Sequence, residues 1–507
     1  MHYKMHFPIM RYIVVLLLSL SLGFQSLNAQ IKLLNLESLD TKEIFYTLLD
    51  ALETPQRVYR LDLSGKKLTE IPPEIFSFPN LQELNLSQNN ITVLPEGLEK
   101  IPYLQVLNLS QNKIDSVSPK ISNIPYLKEL YLSYNKLEKV PNELFSMSDL
   151  RTLKLDDNKL LSIPENIGSL ANLEMLYLTF NSLRKLPESI GQLKNLRIFY
   201  VSHNKLKELP ASIGNLKKLE SFDISYNKIS ILPKSISSLK KLYTFIFGYN
   251  RLSSLPAEIY GLKNLNEVYA NDNNIEDLPE EIAQLKSLEY LNISNNKLER
   301  LPASFGKLQK LTYLNMSYNS FKHIPAEVFE LEDLLQLFMW NNDLESISPD
   351  IQKLEKLVYL NLIGNKLSRL PKEIVNLRNL KEIYLSINLF KEFPTEVCYM
   401  EDLEFIFLNY NEINEIPDDV RNMPKLKALY LKGNNITRVN PAVCKIQTLT
   451  DLDLENNQIR EIPHEFKDMP KLKKLNLKDN LFKQSDIGRL LIMLPNTKIK
   501  YTLPEKF

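Results

Sequence analysis

Few residues of this 507-residue sequence combine the types and spacing that chemistry needs. Beyond the first ten residues there are three histidines, His203, His323 and His464, each able to act as a base or as a metal ligand. Cys398 and Cys444 could serve as nucleophiles or pair as a disulfide. Asp451, Asp453 and Glu455 form the densest acidic cluster, and carboxylates are the donors a calcium ion prefers. Gly65-Lys66 and Gly306-Lys307 share two residues with a phosphate-binding loop. Neither is followed by Ser or Thr, and neither has the loop's earlier glycine, so both are discarded. Whether the other groups meet depends on the elements that carry them.

The composition narrows the partners first. With 62 basic and 61 acidic residues the formal charge is +1, which removes the electrostatic footprint of a nucleic-acid binder or a polybasic membrane binder. Only 12 glycines and 2 cysteines are present, too few for glycine-rich phosphate loops or a disulfide framework to be a large part of the design. Residues 1–29 differ from the rest. Arg11 precedes an uncharged run from Tyr12 to Gly23, a polar stretch follows, and Ala29 is the small residue at the cut. That is the build of a secretory signal peptide, with Met10 as an alternative start. A run of roughly 12 residues falls short of the ~20 that a spanning helix needs, so no permanent membrane span is expected after cleavage. No cysteine follows it to take an acyl anchor.

From Val58 onward the pattern L-x-x-L-x-L-x-x-N-x-L-x-x-L-P-x-x-I-x-x-L-x-x recurs every 23 residues without insertion or deletion, giving 19 units over residues 58–494. Its asparagine column runs from Asn89, Asn112 and Asn135 to Asn457 and Asn480, and the first unit carries Lys66 there. The L-x-L segment alternates with period two and predicts a short strand whose leucines point inward. Where the chain leaves that strand, buried backbone groups lose their sheet partners, and an asparagine amide can satisfy them. A proline six places on, present in 15 of the 19 units, bars a long helix and predicts loops and short turns on the other side. In three units it slips one place, to Pro119, Pro349 and Pro441, which should perturb the turn but not the strand.

These residues resemble the leucine-rich-repeat family, and in particular its 23-residue subclass with L-P-x-x-I, found in Ras-associated and polarity scaffolds and in exported bacterial proteins. The likeness spans about 86% of the chain. It implies an α/β solenoid, a curved horseshoe with a parallel sheet on the concave face and short turns or helices on the convex face. It also implies a binding role, usually toward proteins. Bacterial ubiquitin-ligase effectors with such repeats use a catalytic cysteine in a separate domain, which this sequence does not show. Ends of such arrays need caps. Residues 30–57 are expected to supply an N-terminal helical cap, with Leu33, Leu36, Ile44, Leu48, Leu49 and Leu52 on one face up to Pro55. At the other end Ser485 could cap a helix with Ile487, Leu490, Leu491 and Leu494 on its apolar face. Residues 495–507 would then form a last strand, Lys498 to Tyr501, and a tail.

The period settles the chemistry. His203, His323 and His464 lie five or six units apart, roughly 25 to 30 Å at ~4.8 Å per strand, so they share no metal. Cys398 and Cys444 fall two units apart in the same phase, on the order of 10 Å, beyond the ~7 Å reach of a disulfide. The register places Lys474 beside Asp451, with Lys432 and Lys478 beside Glu455, so cross-strand ion pairs explain the acids more simply than a metal. No catalytic residue, metal or cofactor is expected.

A partner would meet the second, third, fifth, seventh and eighth positions of each unit. These 95 positions, about 19% of the chain, hold 16 of its 24 tyrosines and its one tryptophan. Tyrosine suits strands, but interface cores also favour aromatics for their contact area and few rotors. These residues predict a long aromatic strip with two hot regions. Tyr177, Phe180, Tyr200, His203, Tyr226, Ile246, Tyr249 and Tyr269 fall in five successive units. Phe338, Trp340, Tyr359, Ile363, Tyr384, Ile387, Phe405, Phe407, Tyr410 and Tyr430 make the second. Between them lie Asn292 and Asn315 with Tyr290, Tyr313 and Tyr318 alongside, and Lys154 stands between Tyr131 and Tyr177 as a cation sandwich. The expectation is an exported bacterial binding protein, secreted, periplasmic or at the cell surface. It would recognise a protein partner as receptor, adhesin or scaffold, or alternatively a glycan. The sequence leaves the oligomeric state open.

Overall fold

Nineteen repeats of one length place equivalent residues side by side, and the computed structural model shows the result over residues 33–94, 97–255 and 257–502. Strand β1 (Ile44–Phe45) opens a parallel sheet of 21 strands. One strand per repeat follows, β2 to β20, from Arg60–Asp62 to Lys474–Leu477, and β21 (Lys498–Tyr501) closes it. Pairing advances by 23 residues at a time, as in Thr244, Glu267, Tyr290 and Tyr313. Each strand's middle residue points inward, so Leu291, Leu314 and Leu337 stack in a core from which water is excluded. The signal peptide expected over residues 1–29, and residues 503–507 of the tail, lie outside the described residues. No described helix is long and apolar enough to cross a membrane.

Each asparagine of the ladder serves two repeats. The Asn227 amide nitrogen donates to the carbonyls of Ile224 and Ser225 in its own repeat and of Val201 in the one before, at 3.0 to 3.1 Å. Its oxygen accepts the Leu206 N–H at 3.0 Å. The same geometry recurs along the array, from Asn89 to Asn480.

On the opposite side the first 18 repeats form 3₁₀ turns, all five residues long except Leu98–Lys100, and the last forms an α-helix, Gln484–Met493. Most follow directly after the proline, which occupies the cap and donates nothing. The three slipped prolines do not distort the turn as expected. Pro119, Pro349 and Pro441 simply become the first turn residue, where a missing N–H costs nothing. The residue that takes the cap, Ser118, Ser348 or Asn440, accepts a backbone N–H instead.

The caps also differ from expectation. Residues 33–57 are two short helices, α1 (Leu36–Asp40) and α2 (Leu48–Glu53), flanking β1. Leu39 and Ala51 carry the burial, and Leu49 and Leu52 are exposed. The helix α3 (Gln484–Met493) begins one residue before Ser485, because the Asp486 carboxylate reaches back to accept the Lys483 N–H at 3.0 Å. Ile487, Leu490 and Leu494 are buried as expected, but Leu491 faces solvent.

Replacing Asn227 with alanine leaves the buried Leu206 N–H unsatisfied, which costs about 1–3 kcal/mol, while the Val201 and Ile224 carbonyls each keep one donor, from Asn204 and Asn250. The substitution is expected to destabilise the array by about 1–3 kcal/mol in chemical denaturation. A loss under about 0.5 kcal/mol would show that water replaces the amide.

Candidate functional site

The eighth position of each repeat, immediately before the asparagine, turns the chain out of the sheet. In all 19 repeats its backbone is left-handed, with φ between 49° and 67°. Gly65, Gly364 and Gly433 adopt it without strain, and Asn and Asp tolerate it. Gly433 is doubly constrained, since a Cβ there would also sit 2.6 Å from the Tyr410 ring. Yet Phe180, Tyr226, Tyr249, Tyr318, Ile387 and Tyr410 hold the same conformation while exposing large apolar groups. For Ile387, a β-branched residue at φ 55°, the conformation is a genuine outlier.

Four of these positions form a rim ladder. Phe180, His203, Tyr226 and Tyr249 stack face to face, with centroids 3.9 Å apart at every step and planes within 15°. Burial between the flanking rings holds the His203 imidazole below its ordinary value, with Asp223 and Asp157 opposing that shift. Further along the rim Trp340 meets Tyr318 edge-on at 4.4 Å.

A second ladder runs along the middle of the sheet. Tyr269, Tyr290, Tyr313, Phe338, Tyr359, Tyr384, Phe407 and Tyr430 follow one another with centroids 4.0 to 5.0 Å apart. Tyr290, Tyr313 and Tyr359 stand at the third position of their repeats and the other five rings at the fifth, and each lies against its neighbour. Tyr290 and Tyr313 therefore lie within the continuous part of the aromatic strip, in ring contact with Tyr269 on one side and Phe338 on the other. Conversely, the first region divides. Tyr177 and Tyr200 meet edge-to-face in the middle of the sheet at 5.3 Å, whereas Phe180 to Tyr249 lie on the rim. Burial and hydrogen bonds to Tyr313 and to Glu382 raise the pKa values of Tyr290 and Tyr384 respectively, so these phenols remain protonated donors.

The N-terminal end of the concave face is already occupied. The Leu34 N–H donates to Gln82 Oε1 at 3.0 Å, and Gln105 Nε2 donates to the Leu34 carbonyl at 2.8 Å. Both glutamines are fully buried, and Leu36 and Leu39 line a cleft with Asn85, Asn108 and Tyr131. Nothing in the repeat pattern signals this contact, which joins residues 48 and 71 positions apart. Beyond it Lys154 sits between Tyr131 and Tyr177, 5.1 and 4.8 Å from the ring centroids, as the register predicts.

The groups able to do chemistry stay apart. Cys398 and Cys444 are free and fully buried in the convex turns, and burial pushes both thiols up to about 12, the opposite of an activated nucleophile. Lys474 pairs with Asp451 at 2.7 Å, and Glu455 accepts from Lys432 at 2.8 Å and Asn476 at 2.6 Å. Among the described residues no group of three or more His, Cys, Asp or Glu side chains could hold a metal ion.

Comparison with known proteins follows the same geometry. The model of a leucine-rich repeat region matches residues 108–221 and 268–357. A second leucine-rich-repeat model matches residues 56–114, 194–252, 378–436 and 424–482. No curated protein matches the chain. Among solved structures, a leucine-rich-repeat protein of Leptospira interrogans is 29% identical, with 90% of this chain and 100% of that one covered and a TM-score of 0.61. The Arabidopsis receptor kinase HAESA, solved with a peptide hormone and a co-receptor, is 26% identical over 87% of this chain and 82% of its own, at a TM-score of 0.64. An internalin of Listeria monocytogenes is 25% identical over 66% and 88%, at 0.54.

Two measurements probe the rim. Ile387→Asn removes a left-handed β-branched residue and is expected to raise stability by about 1 kcal/mol in a denaturant titration; no gain would mean that local packing already relieves the strain. For His203, NMR titration should give a pKa below about 6.5. Folding favours its neutral form, so stability is complete above that value and falls as pH drops below it. His203→Tyr, which keeps the stack, should flatten this dependence. An upward shift instead would mean that the flanking ring faces stabilise the imidazolium.

Proposed function

The chain belongs to the leucine-rich-repeat family, whose solenoids serve generally as non-enzymatic protein-binding scaffolds, and from that premise we propose that it is an exported protein that captures a protein partner on its concave aromatic face. A receptor, an adhesin or a scaffold would each use the surface in this way. The observation that carries the reading is the set of large apolar side chains held out on left-handed backbone. At those positions glycine, asparagine or aspartate would be unstrained, and strained backbone of this kind gathers at functional sites. Aromatic anchors are also what the centres of protein interfaces favour.

Ring orientation supports a protein partner over a glycan. Sugars stack on exposed aromatic faces, but in both ladders the faces lie against neighbouring rings, several within 10° of parallel. Ring edges are left for the cleft, while hydroxyls such as that of Tyr384, which donates to Glu382 at 2.7 Å, already have partners. Edges carry the positive part of the ring quadrupole, so the surface suits a partner rich in carbonyl or carboxylate acceptors. The exported location rests on the signal-like residues 1–29 and on the likeness to the internalin.

Capture from extracellular and envelope extracts tests the reading, with the native chain beside Tyr226→Ala, Trp340→Ala, Tyr384→Ala and Phe407→Ala. A protein retained by the native chain is expected to bind each variant more weakly, by about 30-fold where the ring is an interface anchor worth about 2 kcal/mol. Equal capture by all five would remove the ladders from the binding surface. Retention on a glycan array, lost in the same variants, would replace the protein partner with a sugar.

A further inference from the structure

The two most exposed large apolar side chains of the described chain lie at its opposite ends, Leu49 (78% exposed) in α2 and Ile492 (81%) in α3. Each has apolar company in solvent: Tyr46 and Leu52 beside the first, Leu491 and Tyr501 near the second. A repeat array that ends as a monomer needs caps with polar outer faces, and these two are not polar.

The ends also carry opposite charge. Residues 33–57 hold five exposed carboxylates, among them Glu43, Asp50 and Glu53, against the two cations Lys42 and Arg57, a balance of −3. Residues 483–502 expose four cations, Lys483, Arg489, Lys498 and Lys500, against the buried Asp486, a balance of +3. Finally, β1 pairs only with β2 and β21 only with β20, so among the described strands each end of the sheet keeps one row of backbone groups unpaired. All strands run parallel, so the free edge of one end and the free edge of the other share the same direction.

We propose that a second copy of this chain docks head to tail, the basic C-terminal end of one molecule on the acidic N-terminal end of the next, with β21 and β1 as parallel neighbours. Apolar contact between the Ile492 and Leu49 clusters supplies attraction, and charge selects the pairing. Two C-terminal ends repel through Lys498 and Lys500, and two N-terminal ends repel through their carboxylates. The contact is heterologous and does not close on itself, so it makes open chains rather than symmetric dimers.

Sedimentation velocity on the chain purified without its leader reads this directly, from micromolar to millimolar concentration and at low and high salt. The native protein is expected to grow in mass with concentration, less so at high salt. Leu49→Lys disables only the acidic end and Ile492→Glu only the basic end, and both positions are exposed, so each variant should fold and remain monomeric. An equimolar mixture of the two should associate again, because the intact basic end of Leu49→Lys meets the intact acidic end of Ile492→Glu. A native chain that stays monomeric throughout, variants that associate like it, or a mixture that stays monomeric would each overturn the proposal.

Discussion

Every neighbour relation on the concave face is inherited from the asparagine amides that tie each repeat to the one before. One side chain satisfies carbonyls in two successive repeats and an N–H between them, so a repeat cannot slip along its neighbour without stranding several buried polar groups. The amide bonds fix the 23-residue register, and the leucines then supply the burial that makes it stable. Positions equivalent in sequence become stacked in space. A ring at one position is therefore a ring beside another ring.

The same turn that places the asparagine also creates the strained column before it. Leaving the strand needs one left-handed residue, and most folds would put glycine or asparagine there. Here the column mixes such residues with phenylalanine, tyrosine and isoleucine. Stacking returns part of the conformational cost where four rings follow in succession, from Phe180 to Tyr249. Ile387 has no such stack, and the structure offers no packing reason for it.

Charge is distributed along the same axis. A chain with 62 basic and 61 acidic residues is close to neutral as a whole, yet its two ends differ in sign. Along the sheet the charges are largely absorbed by cross-strand partners, as in Arg197 with Glu220 at 2.9 Å and Lys474 with Asp451. Such exposed pairs add little stability. Their consequence is that the acidic cluster near the C-terminal end is neutralised by lysines.

By itself the sequence determined the period, the parallel strands, the asparagine ladder, a convex side of short turns and the register that sets Lys154 between two tyrosines, because all of these follow from which residue recurs at which step. A period is a local property repeated, and local rules suffice to read it. Tertiary structure alone decided the rest. Whether adjacent rings lean together or apart depends on side-chain rotamers, so the unbroken ladder through Tyr290 and Tyr313 was not in the spacing. The left-handed column was legible in principle from Gly65, Gly364 and Gly433 standing in one phase, but only the backbone shows that tyrosine adopts it too. The caps have no period to reveal them. The seating of Leu34 on Gln82 and Gln105 joins segments far apart in sequence, and the boundary of α3 turns on a single carboxylate, Asp486, reaching back to one N–H.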